Sequence, residues 1–243
     1  MYKMIVTGFD GVLVDDDLAI SLSTMLEIDR IRRKKMLFTI ATSRCLGDIL
    51  YYNRDFSFLD YVIASDGAIV YDVNKEKVIF KKAVSVSCIR KIYNTFTSYD
   101  IYACRKDRKF KLLELDDITD VYKLEIVCSR RDDSLEVIDK LKSLNLKINY
   151  FEQYINDTYY VDIVSLDIDK FVGVEKICNK KKISIEEVVS FGEYYNDINL
   201  VKNTGLGVSM DNAIEEVKKV SDLDVQEVNV KVTSLQEIKK SKE

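Results

Sequence analysis

Five short apolar runs, each stopped by polar residues, constrain this chain more than any other feature. They occupy residues 4–9, 37–41, 61–64, 188–191 and 206–208. Runs of this length without polar alternation read as strands buried on both faces, as in parallel sheets covered by helices. Helical stretches fall between them at 18–33, 46–52, 169–179, 197–202 and 212–219. The first carries Leu18, Leu22, Met25, Leu26 and Ile28 with charged residues between. Strand and helix alternating in this way predict a doubly wound α/β sheet, with its ligand site at the strand carboxyl ends.

The texture changes between residues 83 and 164. A small hairpin (69–71 and 77–80, turning at Asn74-Lys75) precedes this segment. Within it, helical stretches at 85–96 and 134–144 accompany half-buried, tyrosine-rich strands at 123–128, 147–151 and 159–164. The expected organisation is a core of residues 1–82 and 165–243 interrupted by a small α+β unit of residues 83–164, hinging near residues 82 and 165. Tyr150, Tyr154, Tyr159 and Tyr160 read as sheet packing. Arg105, Lys106, Arg108 and Lys109 form a basic run that could face an anionic substrate but reads more commonly as a solvated loop.

Composition removes several chemistries. The 243 residues include no histidine, which excludes Ser-His and Cys-His nucleophile pairs and imidazole ligands; a bound metal would need oxygen ligands and be a hard cation. A net charge of −4 without a long basic run argues against a nucleic-acid partner. No apolar run reaches the roughly 18 residues of a membrane span, and the chain enters its first strand without a signal-peptide pattern. Five scattered cysteines read as reduced thiols, so a cytoplasmic protein is expected.

Four polar clusters sit where strands end or helices open: Asp10, the turn Thr42-Ser43-Arg44, Lys170, and Gly192-Glu193-Tyr194-Tyr195-Asn196-Asp197. Singly each has a plain reading: Thr42 as a turn hydroxyl, Lys170 as a surface charge, Glu193 as a loop residue, Asp197 as a helix N-cap. Together the predicted topology brings all four to one sheet edge.

In that order and spacing, the clusters resemble the haloacid dehalogenase superfamily, in particular its Cof-type branch with an inserted α+β cap. The resemblance covers nearly the whole chain, including the stretch Gly205-Leu206-Gly207-Val208-Ser209-Met210-Asp211-Asn212-Ala213. It implies a magnesium-dependent phosphatase of small phosphorylated metabolites. Its first motif, Asp-x-Asp-Gly-Thr/Val, falls on Gly8-Phe9-Asp10-Gly11-Val12, so Gly8 holds the place of the attacking aspartate and Asp10 that of the acid/base. The resemblance further assigns Thr42, Ser43, Lys170 and Asn196 to the phosphate, Arg44 and Asp66 to the substrate, and Asp10, Glu193 and Asp197 to the metal.

Three departures follow from this alignment. Gly8 supplies neither nucleophile nor ligand. Glu193 replaces an aspartate and is longer by one methylene, and Asp66 stands where the branch has asparagine. Registers using Asp10 with Val12, or Asp15 with Asp17, lose the acid/base residue or the Gly-Val signature. Two functions stay open on the sequence. One is a phosphatase whose catalysis is lost or strongly impaired and whose magnesium affinity is weakened. The other is a non-catalytic relative that binds a phosphometabolite or a protein partner.

Overall fold

The structure is a computed structural model that describes residues 1–54, 57–143, 152–155 and 158–225. Its first part runs β1 (Met4–Thr7), α1 (Leu22–Arg33), β2 (Leu37–Ala41), α2 (Leu46–Asn53), β3 (Tyr61–Ala64), β4 (Ile69–Asp72) and β5 (Lys77–Lys81). The middle comprises α3 (Val86–Thr95), β6 (Asp100–Cys104), β7 (Lys109–Lys111), β8 (Lys123–Cys128), α4 (Arg131–Ser143), β9 (Glu152–Ile155) and β10 (Thr158–Ile163). The last part is α5 (Lys170–Lys181), β11 (Val188–Gly192), α6 (Ile198–Asn203), β12 (Leu206–Met210), α7 (Glu215–Lys218) and β13 (Leu223–Val225).

The first and last parts form one sheet in the order β13-β12-β11-β1-β2-β3-β4-β5. It is parallel from β13 to β3 and antiparallel at β4 and β5. Both faces are covered, as continuous apolar strands require. Ile5, Phe38, Ile40 and Val189 pack into one cluster, while Met4, Val6, Ile63 and Val188 pack with Val174, Ile177 and Leu200 on the other face. Side chains alternate along β1 with the strand period of two, so four residues serve two cores. The middle part forms a second, antiparallel sheet, β7-β6-β8-β10-β9, over which Ile89, Ile92, Val137 and Leu141 build a separate core.

Several elements differ from the sequence expectation for local reasons. The first helix begins at Leu22, because the Asp15 carboxylate accepts the N–H groups of Asp17 and Ala19 in a turn and Ser21 caps the helix through Thr24 N–H. The helix expected at 134–144 starts at Arg131. Strands β6, β7 and β13 were not anticipated; each is short, and β7 starts at Lys109, the last residue of the run read as a solvated loop. The strand expected at 147–151, with Tyr150, lies outside the described residues. Among the described residues no helix is long and apolar enough to cross a membrane.

Candidate active site

The chain leaves β1 towards β2 on one side and later returns to β11 on the other. This reversal opens a crevice at the strand carboxyl ends, where open α/β sheets bind ligands. A cavity of ≈280 Å³ lies there, lined by Gly8, Phe9, Asp10, Thr42, Ser43, Lys170, Glu193, Tyr194, Asn196 and Asp197. A second cavity of ≈260 Å³ shares Asp10 and Ser43 with it and extends past Arg44 to Lys109, Lys123, Glu125, Tyr160 and Asp162 of the second sheet. A larger cavity of ≈690 Å³ beside β5 lacks all the motif residues.

β1 delivers Gly8, whose N–H donates to the Phe191 carbonyl (3.1 Å) and prolongs the β1–β11 ladder. A Cβ at this position would lie 2.7 Å from Val12 Cγ2. The chain then turns at Gly11, whose φ of +66° suits glycine. The same residue lets Glu193 approach, since a Cβ there would fall 2.4 Å from its Oε2. Asp10 emerges half-exposed and is gripped by Arg44, with Nε donating to Oδ2 (2.9 Å) and the terminal nitrogen to Oδ1 (2.6 Å). The guanidinium also lies over the Phe9 ring, 5.3 Å from its centroid. Its hydrogen bond to Asp10 raises the Arg44 pKa, which keeps the guanidinium charged.

β2 delivers Thr42, buried, whose Oγ1 accepts the Arg44 N–H (3.1 Å) and keeps its own proton available to the cleft. Lys170 opens α5 behind the N-cap Asp169 and is buried against Asp197, with Nζ donating to Oδ1 (2.7 Å). The other Asp197 oxygen accepts the N–H groups of Glu193 (3.1 Å) and Tyr194 (3.4 Å), which folds the β11–α6 loop around it. Glu193 accepts from Asn212 Nδ2 (2.7 Å). Burial, then the neighbouring Asp197 charge, pushes its carboxyl up to about 7.

Asp66 and Asn196 meet each other: Asn196 Nδ2 donates to Asp66 Oδ1 (2.8 Å). Asp66 is buried at a left-handed φ of +53°, and its N–H donates to the Thr42 carbonyl. It lines neither cavity of the cleft, so it props Asn196 and the Thr42 turn from behind. Asp15, considered as an alternative nucleophile, is spent on its own turn.

The oxygen donors present do not make a magnesium centre. Among the described residues no three acidic or thiol side chains group closely enough to hold a metal ion. Asp10 is committed to Arg44, Asp197 to Lys170 and two N–H groups, and Glu193 to Asn212. Gly8 subtracts the remaining carboxylate from the place where the alignment requires one. A hard dication needs several ionised oxygens around one point, so no step is derived through it.

On the far wall of the cleft, sequence reasoning named Lys109 only within a basic run that could face an anionic substrate, and it missed Lys123, Glu125 and Asp162. Lys109 leaves the supposed loop and, from β7, donates to Glu125 (2.7 Å). Lys123 is ion-paired with Asp162, and Asp162 Oδ1 has no hydrogen-bond partner. Burial raises the Asp162 carboxyl pKa despite that ammonium. The available signal was alternation: Lys123 and Glu125 interleave with Leu124 and Ile126, but a polar strand face ordinarily means solvent. The cysteines also differ from expectation, because Cys45 and Cys104 form a disulfide while Cys88 and Cys178 remain thiols. Their sequence separation of 59 gave no hint, since only the second sheet's placement against α2 brings them together.

The profile of haloacid dehalogenase-like hydrolases matches residues 5–109 and 102–231. A 5-amino-6-(5-phospho-D-ribitylamino)uracil phosphatase of Bacillus subtilis is 24% identical over 225 residues, covering 90% of this chain and 88% of its own length. A phosphoglycolate phosphatase of Methanosarcina acetivorans is 29% identical over 229 residues, with coverages of 91% and 88%. The HAD/COF-like hydrolase of Plasmodium vivax superposes with a TM-score of 0.82 at 17% identity, covering 99% of this chain and 95% of that one.

Proposed function

The chain belongs to the haloacid dehalogenase-like hydrolases, and from that premise we propose that it is of their Cof type and that its cleft binds a small phosphorylated metabolite, with catalysis lost or strongly impaired. In this reading residues 1–82 and 165–243 are the core and residues 83–164 the cap. Thr42, Ser43 and Lys170 receive the phosphoryl group, with Asn196 held beside them by Asp66. The remainder of the substrate lies towards Arg44 and the cap.

One observation carries the proposal: β1 is followed directly by Gly8, so no side chain at that position can attack phosphorus. A family phosphatase splits its reaction into two easier steps through that carboxylate. Asp10, the acid/base position, has both carboxylate oxygens engaged by Arg44, so neither is free to meet a leaving group in this arrangement. Losing covalent catalysis and a metal ligand removes several factors of ten, each worth about 1.4 kcal/mol of transition-state stabilisation. Binding is supported by what is kept, because the Thr42 hydroxyl and the Lys170 ammonium still face the cavity.

The test is calorimetric titration with inorganic phosphate and with orthovanadate, with and without magnesium, beside an assay of p-nitrophenyl phosphate hydrolysis. Anion binding that is indifferent to magnesium, with hydrolysis near the uncatalysed rate, is expected. A phosphorylated carboxylate trapped on the unaltered chain overturns the loss of catalysis. Absence of anion binding overturns the binding role.

A further inference from the structure

Cys45 stands directly after the Thr42-Ser43-Arg44 turn, at the N-cap of α2, whereas Cys104 ends β6 in the cap. The disulfide between them has a Cα–Cα distance of 6.0 Å, within the range that a bridge spans without moving the backbone. A second contact marks the same seam independently. The Gly47 N–H donates to the Lys106 carbonyl (3.1 Å), and a Cβ on Gly47 would fall 1.9 Å from the Asp107 carbonyl oxygen. Core and cap backbones therefore touch here, and only glycine permits the approach. Both cysteines are buried, yet both line the cavity that holds Arg44, Lys123 and Asp162.

We infer that Cys45 and Cys104 are a reversible thiol–disulfide latch that fastens the cap to the core and governs entry to the cleft. Among the described residues the chain crosses between core and cap twice, near residues 82 and 165. Without the bridge, the cap can swing about those crossings, with the exposed Lys81–Asp120 pair near the first of them, and break the Gly47–Lys106 and Ser65–Cys104 hydrogen bonds on the cleft side. With the bridge, a covalent third attachment sits on the cleft wall and prevents the swing. The latch is independent of turnover and needs no catalytic carboxylate.

The exchange balances with a low-molecular-weight disulfide such as glutathione disulfide. One cysteine thiolate attacks it, forming a mixed disulfide and releasing one glutathione thiolate. The second cysteine thiolate then displaces the other glutathione. The two protein thiols give up two electrons and two protons, and the small disulfide becomes two thiols. Excess glutathione drives the reverse.

The full chain is equilibrated at several ratios of glutathione to its disulfide, then denatured and alkylated for thiol counting by mass. Five reactive thiols at the reducing end and three at the oxidising end are expected. Hydrogen exchange at the Gly47 amide is expected to be at least tenfold slower in the three-thiol state. Cys45→Ser and Cys104→Ser are expected to exchange at the fast rate at every ratio. Five thiols throughout, three thiols throughout, or equal Gly47 exchange in the two wild-type states overturns the latch. Should either serine variant fail to fold, the comparison of the two wild-type states decides the matter without it.

Discussion

Arg44 donates three hydrogen bonds to the Asp10 carboxylate across 34 residues of sequence. The residue that the alignment assigns to acid/base work is thereby bound to the residue assigned to substrate. Both side chains are 36% exposed, so the pair contributes little to stability. Its effect is on the charge the cleft presents, because Arg44 cancels an anion standing beside the phosphate position.

Arg44→Ala is expected to lower inorganic phosphate affinity at least fivefold while changing unfolding free energy by less than about 1 kcal/mol, the ordinary range for an exposed pair. Calorimetric titration and urea denaturation measure the two quantities. Unchanged phosphate affinity would show that Asp10 does not act on the site.

Gly8→Asp restores a carboxylate but places its Cβ 2.7 Å from Val12 Cγ2. Val12 is buried, so the substitution is expected to cost roughly 1–3 kcal/mol of stability, as overpacking does. Adding Val12→Ala is expected to recover part of that loss, giving a favourable coupling in a double-mutant cycle. Since Gly8→Asp also supplies the missing oxygen ligand, hydrolysis of p-nitrophenyl phosphate is expected to become magnesium-dependent and to rise at least tenfold.

Lys170→Met leaves Asp197 buried without its cation. The side chains of the pair are 6% and 3% exposed, and removing one partner of such a pair costs about 3–5 kcal/mol. The Glu193 and Tyr194 N–H groups still serve Asp197, which places the expectation at the lower end. Urea denaturation should show this loss, and phosphate binding should disappear with it.

The Glu193 carboxyl is raised from 4.5 to about 7 in the folded chain by burial and by Asp197. Between those values the folded state holds a proton that the unfolded state has released, so stability falls as pH rises through that window and levels off above it. Glu193→Gln, which still accepts from Asn212, is expected to flatten this fall and to be more stable than the parent at pH 8. Thermal unfolding measured from pH 4.5 to pH 8 tests the sign.

Gly47→Ala forces the Asp107 carbonyl away, since the new methyl would lie 1.9 Å from it. A loss of about 1–3 kcal/mol is expected, together with faster hydrogen exchange across residues 45–50. Exchange at the β1–β2 ladder should be unaffected.

Much of the fold was legible because burial on both faces of a parallel strand leaves a continuous apolar run, as in β1, β2 and β11. Thr42, Lys170 and Glu193 were legible because each stands at a strand or helix end that this topology brings to one edge. The start of α1 was misread because apolar periodicity continues back to Leu18, while the Asp15 turn and the Ser21 cap decide where the helix begins. Lys109 was misread because β7 is only three residues long, too short to show a period.

The chain's order of residues determined, unaided, that an α/β sheet forms and that its first strand ends without a carboxylate; both depend on side-chain character at positions near in sequence. Only the folded chain decided that Arg44 reaches Asp10, that Asp66 supports Asn196 across 130 residues, and that Cys45 meets Cys104. Those pairings arise from how the second sheet and the loops at the strand ends are packed. Hydrophobic patterning says which face of a segment is buried, but not which distant polar group it will face.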